Sequence, residues 1–232
     1  MTELEHKESE HQFVDRDACA RCGKTGKEIA AYQLDCLPLA PSPASSSAEE
    51  AKSRPQLGED DVLRIVLDAT AECTSLLDVG CGPGKYLRRL RAERPHLRLV
   101  GLEPHRPDAR AALEWAESMF CGTAPEDLRC LQAGMVDAVI ALDVIEHLSP
   151  DAALETIGSM KRLARRVVVM FTPLGFADNP GHDPATDELQ AHRSGWWPSD
   201  LERMGFETTV WPTFSGGPGH QPGALWGVWR HG

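Results

Sequence analysis

The stretch Ser75–Leu90, SLLDVGCGPGKYLRRL, is an apolar run that breaks into three glycines, Gly80, Gly82 and Gly84, and resumes as a basic amphipathic stretch. A short apolar run bounded by turn residues reads as a buried strand, and the stretch after it as a helix. Strand, Gly-x-Gly-x-Gly, helix is a ligand-binding arrangement. Glycines let the chain turn sharply and let a ligand approach the backbone. The helix N-terminus behind them offers free N–H groups. A dinucleotide fold favours G-x-G-x-x-G, with a pyrophosphate on the helix end. Here the third glycine comes one residue early, and Asp78 stands just before the turn, where it would repel a diphosphate and suit a cation. Glu103 ends the next strand pattern, where a carboxylate can accept hydrogen bonds from ribose hydroxyls. The ligand therefore reads as a nucleoside with a cationic tail.

Outward from this turn, strand and helix patterns alternate. The pattern predicts a helix over 60–72 with Asp60 as N-cap, and a helix from Lys85 that stops before Pro95. A strand over 97–103, a helix over 107–118 and a weak strand over 119–121 follow. Next come a strand within 135–145, a helix over 149–164 capped by Ser149, and a strand over 166–172. A short helix over 199–206 carries a Ser199–Glu202 capping box, and two late strands lie near 206–212 and 223–230. Alternation of this kind implies an α/β fold with a doubly wound, mostly parallel, Rossmann-like sheet. The last two strands are joined without a helix and are expected to form an antiparallel hairpin at the sheet edge.

The chain has 232 residues and a formal charge of −11. A nucleic-acid partner is not expected, because no basic stripe is visible; Arg88, Arg89, Arg91 and Arg94 read as one solvated helix face. No apolar run reaches the ~18 residues of a membrane span, and the N-terminus lacks a secretory signal. Seven irregularly spaced cysteines do not resemble a disulfide framework. A cytoplasmic chain is expected, without a membrane partner, as a monomer or loose dimer. Residues 1–40 read as a cysteine-containing leader, 41–57 as a Pro/Ser/Ala-rich linker and 58–232 as the main domain. In the leader, Cys19 and Cys22 form half of a zinc-ribbon pattern; a flexible leader with spare thiols is the leading expectation, and a structural zinc with Cys36 and His6 or His11 completing the ligands is the alternative. No catalytic metal is expected.

Four ordered motifs within 60–175 resemble those of the class I S-adenosylmethionine-dependent methyltransferases. LLDVGCGPGKYL (76–87) resembles their first motif, VGLEP (100–104) their second-strand acidic motif, VDAVIALDVIEHL (136–148) their fourth-strand segment and RVVVMFTP (166–173) their fifth strand. The segment QAHRSGWWPSDLERMGF (190–206) resembles a C-terminal segment of one broad subgroup. The resemblance implies S-adenosylmethionine as cofactor. It would lie along Asp78, Gly80, Cys81 and Gly82, with Glu103 on the ribose, Thr123 and Ala124 near the adenine, and Leu142 and Asp143 at the sulfonium. Two features depart from the family. Thr123 stands where an aspartate usually reaches the adenine amino group, which leaves that contact to backbone or Glu126. The family's Lys-Pro-Gly-Gly turn before the fifth strand is replaced by RLARR (162–166).

Methyl transfer from a sulfonium is an in-line displacement that depends on alignment and desolvation. A hydroxyl or ammonium acceptor must also lose a proton, for which histidine is suited near neutral pH. His192 and His147 are the candidate bases. Glu146 and His147 have a structural alternative as caps of the next helix. Trp196 or Trp197 is a candidate wall of the acceptor pocket. The leading expectation is methylation of a small-molecule acceptor. The alternatives are a protein-modifying methyltransferase and a non-catalytic nucleoside-binding module of the same fold.

Overall fold

The computed structural model describes residues 58–177, 187–211 and 223–232, and the backbone of two short strands near the N-terminus. The chain divides into two units, Met1–Gln56 and Leu57–Gly232. In the first, β1 (Phe13–Asp15) pairs antiparallel with β2 (Ala18–Cys19). Cys22, Cys36 and the side chain of Cys19 lie outside the described residues, and so does the expected linker.

The second unit is built on a seven-stranded sheet. Its strands are β3 (Ser75–Val79), β4 (Arg98–Glu103), β5 (Ser118–Cys121), β6 (Val136–Leu142), β7 (Ala164–Pro173), β8 (Glu207–Trp211) and β9 (Ala224–Arg230). Their order is β5-β4-β3-β6-β7-β9-β8, parallel from β5 to β7, with β9 antiparallel to both β7 and β8. Every residue of β3 and β6 is buried. That is why these strands read as continuous apolar runs: a parallel sheet is covered on both faces. Successive side chains alternate between two cores. Leu76, Ile140 and Phe171 enter one; Leu77, Val139 and Met170 enter the other.

The helices are α1 (Glu59–Ala69), α2 (Lys85–Glu93), α3 (Arg106–Ala112), α4 (Pro150–Leu163), α5 (Asp187–Gln190) and α6 (Pro198–Arg203). Three helix starts and stops differ from the sequence expectation, each for a local reason. The cap of α1 is Gly58, whose N–H donates to Asp61 Oδ2 at 3.0 Å, so Asp60 lies inside the first turn. In α6 the carboxylate of Asp200 accepts from Trp197 N–H at 3.0 Å, and Ser199 lies within the helix. Helix α3 ends at Ala112, short of 118, because Glu117 is drawn to β4. Its N–H donates to Leu99 O at 2.9 Å and its Oε2 accepts from Leu99 N–H at 2.7 Å.

Where the RLARR segment replaces the expected turn, α4 runs directly into β7. Arg165 stitches the strand starts together there: its Nε donates to Asp137 Oδ1 at 2.9 Å and its Nη1 to Gly134 O at 2.7 Å. Strand order reverses on either side of β3, so the crevice at the carboxyl ends of β3 and β6 is the ligand side of the sheet.

Candidate functional site

The glycine turn leaves β3 at its buried end. Gly80 and Cys81 N–H both donate to Leu102 O, at 2.7 and 3.2 Å, which ties the turn to β4. All three glycines have positive φ, +69° at Gly80, +52° at Gly82 and +89° at Gly84. They serve different ends. A Cβ on Gly80 would stand 2.7 Å from Val144 Cγ2, and one on Gly84 3.1 Å from the backbone of Ala112; a Cβ on Gly82 would meet nothing within 4 Å. Gly80 and Gly84 are packing glycines, while Gly82 faces open space. Helix α2 begins at Gly84 with no side chain capping it, so its first N–H groups remain available.

Two acids flank this cradle. Asp78 is buried, at 2% exposure. Burial, and then the charge of Glu103, push its carboxyl up to about 8. Glu103 is also buried. Its Oε2 accepts from Gly82 N–H at 2.9 Å and its Oε1 from His105 N–H at 2.8 Å. Burial raises its pKa, and these two bonds act against the rise. Each oxygen keeps a further lone pair for a ligand hydroxyl. Cys81 is buried in the turn. Burial, with Asp78 and Glu103, raises its thiol far above the usual range, so it stays protonated and is not a nucleophile.

At the end of β5, Thr123 N–H donates to Asp127 Oδ2 at 2.7 Å, and Thr123 Oγ1 lies 3.2 Å from Glu126 Oε2. Asp127 thus shapes the Thr123–Ala124 loop, and a Cβ on Gly122 would collide with it. Beyond β6, Leu142 is buried and Asp143 adopts φ +57°, the one non-glycine residue with positive φ among the described residues. Strain of this kind collects at ligand sites. Asp143 is exposed, yet partial desolvation raises its carboxyl to about 6, against the pull of Lys85.

The residues after Asp143 turn back as a short 3-10 helix, Ile145–His147. Ser149 Oγ, not Glu146, faces the start of α4, 3.5 Å from Ala152 N–H. Glu146 points inward instead. It is 2% exposed, and its Oε2 accepts from the Thr172 hydroxyl of β7 at 2.9 Å. Its Oε1 has no hydrogen-bond partner. Burial, and then Asp143, hold its pKa well above the carboxylate range. His147 and His192 meet edge to face with ring centroids 4.9 Å apart. Burial, and then His192, lower the His147 pKa to about 4, so the ring is neutral, and its buried Nδ1 has no partner. His192 Nδ1 lies 2.6 Å from Ala177 O. A carbonyl only accepts, so Nδ1 is the donor in this bond and Nε2 is the nitrogen left for other partners.

The structure thus gathers Asp78, Gly80, Cys81, Gly82, Glu103, Leu142 and Asp143 along the carboxyl ends of β3, β4 and β6, with Thr123 and Ala124 at β5. It brings His147 and His192 together across a chain separation that no spacing rule could bridge. Trp196 and Trp197 are buried, Trp196 Nε1 donates to Ser194 Oγ at 3.0 Å, and Trp196 packs within one of the two cores. Sequence reasoning missed the inward turn of Glu146 and the role of Asp127, and nothing in the local pattern signals either. A separate cavity among Glu72, Arg166, Arg230 and His231 lies at the opposite end of the sheet, away from these groups.

Residues 77–166 match the model of a family described as a methyltransferase domain. Among solved structures the chain is similar to a SAM-dependent methyltransferase from Archaeoglobus fulgidus, with 17% identity, 80% of this chain and 95% of that chain covered, and a TM-score of 0.56. It is similar to magnesium protoporphyrin IX methyltransferase from Synechocystis PCC 6803 with bound SAM, with 20% identity, 73% and 77% covered, and a TM-score of 0.51. It is also similar to the plantazolicin methyltransferase BamL in complex with a triazolic desmethylPZN analog and SAH, with 12% identity, 73% and 82% covered, and a TM-score of 0.52. At these identities the likeness is one of fold. No curated protein matches the sequence.

Proposed function

We propose that this chain, whose residues 77–166 match a methyltransferase-domain model, is a class I S-adenosylmethionine-dependent methyltransferase and methylates a small-molecule acceptor at the carboxyl ends of β6 and β7. The cofactor is S-adenosylmethionine. The site fits it on two observations: Gly82 opens onto space that a side chain would fill, and the buried Asp78 carboxyl has the low-dielectric setting in which a ligand cation would ionise it. When bound, the cofactor supplies a methyl carbon made electrophilic by a positively charged sulfur.

The chain's own residues do the rest. Asp78 and the backbone of Gly80, Cys81 and Gly82 would hold the charged methionine end. Glu103 would hold the ribose while bracing the turn through Gly82 N–H. The loop of Thr123 and Ala124, shaped by Asp127, would border the adenine. Leu142 and Asp143 would flank the sulfur and exclude water there. On the acceptor side, the Ala177 bond to Nδ1 turns His192 Nε2 toward the role of proton acceptor, with the neutral imidazole of His147 beside it.

The observation that carries this reading is the pairing of an acid-flanked glycine cradle at β3 with a two-histidine cluster beyond β6. Its test is incubation of the purified chain with methyl-labelled S-adenosylmethionine and a fractionated small-metabolite pool. Expected are S-adenosylhomocysteine and label in a compound of low mass. Label found in protein alone would overturn the choice of acceptor. Absence of both cofactor binding and cofactor turnover would overturn the reading as a whole.

A further inference from the structure

Three potential ligand atoms converge beyond β6. One donor atom each from Glu146, His147 and His192 lies within 4.8 Å of the other two. We propose that these residues form a binding site for one divalent first-row transition metal ion, of the two-histidine, one-carboxylate kind.

Four features carry this. First, the donor set is chemically apt: imidazole nitrogens with one carboxylate oxygen bind Mn, Fe, Co and Zn, and three protein ligands leave positions open for another molecule. Second, the outer contacts orient the donors as ligands require. Thr172 Oγ1 occupies Glu146 Oε2 and leaves Oε1 unpartnered. Ala177 O accepts from His192 Nδ1 and leaves Nε2 for another partner. A hydrogen bond that fixes the far side of a ligand is the usual partner of a metal-binding histidine. Third, two buried polar atoms, Glu146 Oε1 and His147 Nδ1, make no hydrogen bond of regular geometry, although Asp143 adjoins the Glu146 carboxyl and the backbone of Gln190 and Ala191 adjoins the His147 ring. Buried groups are seldom left so, and Glu146 is 2% exposed. Fourth, the backbone locks the two halves together, since Arg193 and Ser194 N–H both donate to Glu146 O, at 2.7 and 3.1 Å, and Ser194 Oγ donates to Ile145 O at 2.9 Å. Around an ion with bonds of about 2.0–2.2 Å the donors stand roughly 3–3.5 Å apart. Binding therefore asks for about an ångström of side-chain closure and no movement of the sheet.

The site deepens the reading above, and only its use in catalysis rests on that reading. It lies on the acceptor side, where an ion with open positions would bind an acceptor oxygen and acidify it. His192 Nε2 would then hold the ion rather than take the acceptor's proton.

The test uses the full chain, stripped by chelator and titrated with Mn2+, with free ion read by electron paramagnetic resonance. Manganese is chosen because it favours oxygen and imidazole over the thiolates of the N-terminal cysteines. One ion per chain is expected. His192→Ala and His147→Ala should each weaken binding roughly 10- to 100-fold, the scale for disturbed metal ligation, with unchanged circular dichroism and unchanged S-adenosylmethionine affinity. Glu146→Gln should do the same; if it does not fold, the two histidine variants decide. Absence of stoichiometric Mn2+ binding, or undiminished binding by the His147/His192 double variant, overturns the site. Turnover that survives complete chelation overturns its use in catalysis. Mn2+ bound as expected without any cofactor turnover leaves the site standing and strikes the methyltransferase reading instead.

Discussion

At the scale of single residues, Asp78 carries the sharpest consequence. An aspartate raised from its ordinary value to about 8 by burial is neutral in the ligand-free fold at pH 7. Its contribution to stability is complete below the unfolded value near 4 and is lost as pH rises through about 8. Chemical denaturation of the ligand-free chain should therefore show stability falling by on the order of a few kcal/mol across that window, and Asp78→Asn should flatten the fall. Cofactor binding runs the other way. A cation beside Asp78 favours its ionised form, so affinity should rise with pH up to about 8 and binding should release a proton. Calorimetry in buffers of different ionisation enthalpy measures that release, and Asp78→Asn should abolish it. The two glycines beside it separate packing from recognition. Gly82→Ala meets no atom of the protein and bears only the left-handed backbone cost, about 1–2 kcal/mol. It should fold and yet lose at least tenfold in cofactor affinity. Gly80→Ala collides with Val144 and should lower the melting temperature more than Gly82→Ala does. These residues were readable in advance because glycine and aspartate declare their turn chemistry in one line of sequence. Glu146 was not readable. Its direction depends on Thr172 arriving from β7, a contact between segments that no local pattern encodes.

At the scale of elements, the strands were legible where both faces are covered, because β3, β6 and β7 are then unbroken apolar runs. Helix ends were less so. The early end of α3 follows from Glu117 engaging β4, and the start of α6 from a carboxylate reaching back to Trp197; both are set by partners outside the helix. The missing turn before β7 is the clearest case. Asp137, at the start of β6, accepts from Thr74 N–H at 2.8 Å, from Thr74 Oγ1 at 2.7 Å and from Arg165 Nε at 2.9 Å. Burial alone would raise its pKa, but the Thr74 and Arg165 bonds hold it well below the carboxylate range. Its contribution is thus full above the unfolded value near pH 4, declines below it, and is lost only as pH falls through the folded value well below the carboxylate range. Asp137→Ala should cost about 2–3 kcal/mol at pH 7, the range for bonds to a charged group, and markedly less at pH 2–3. Urea titrations at the two pH values measure the difference. Because the clamp lies at the strand starts, cofactor affinity in the folded variant should stay unchanged.

At the scale of the whole domain, the antiparallel pair β8 and β9 closes the sheet beside β7, the strand that supplies Thr172 to the site. Trp226 of β9 joins these layers. It is 1% exposed, with its ring 4.7 Å from Phe171 of β7 and 5.4 Å from Trp211 of β8. Removing so large a buried side chain costs about 3–5 kcal/mol, against a total stability of about 5–15 kcal/mol for a domain. Trp226→Ala should therefore bring the second unit close to its folding limit, and Mn2+ binding should fall with the folded fraction rather than with the intrinsic affinity. Trp226→Phe separates packing from hydrogen bonding. Trp226 Nε1 is buried without a partner, so replacing the indole by a phenyl ring gives up some packing but removes an unsatisfied donor, a group that costs about 1–3 kcal/mol when left alone. The two terms nearly cancel, and the melting temperature of Trp226→Phe should lie within a few degrees of the parent. A loss as large as that of Trp226→Ala would mean that the shape of the indole, and not the filling of the layer, holds the edge of the sheet against β7.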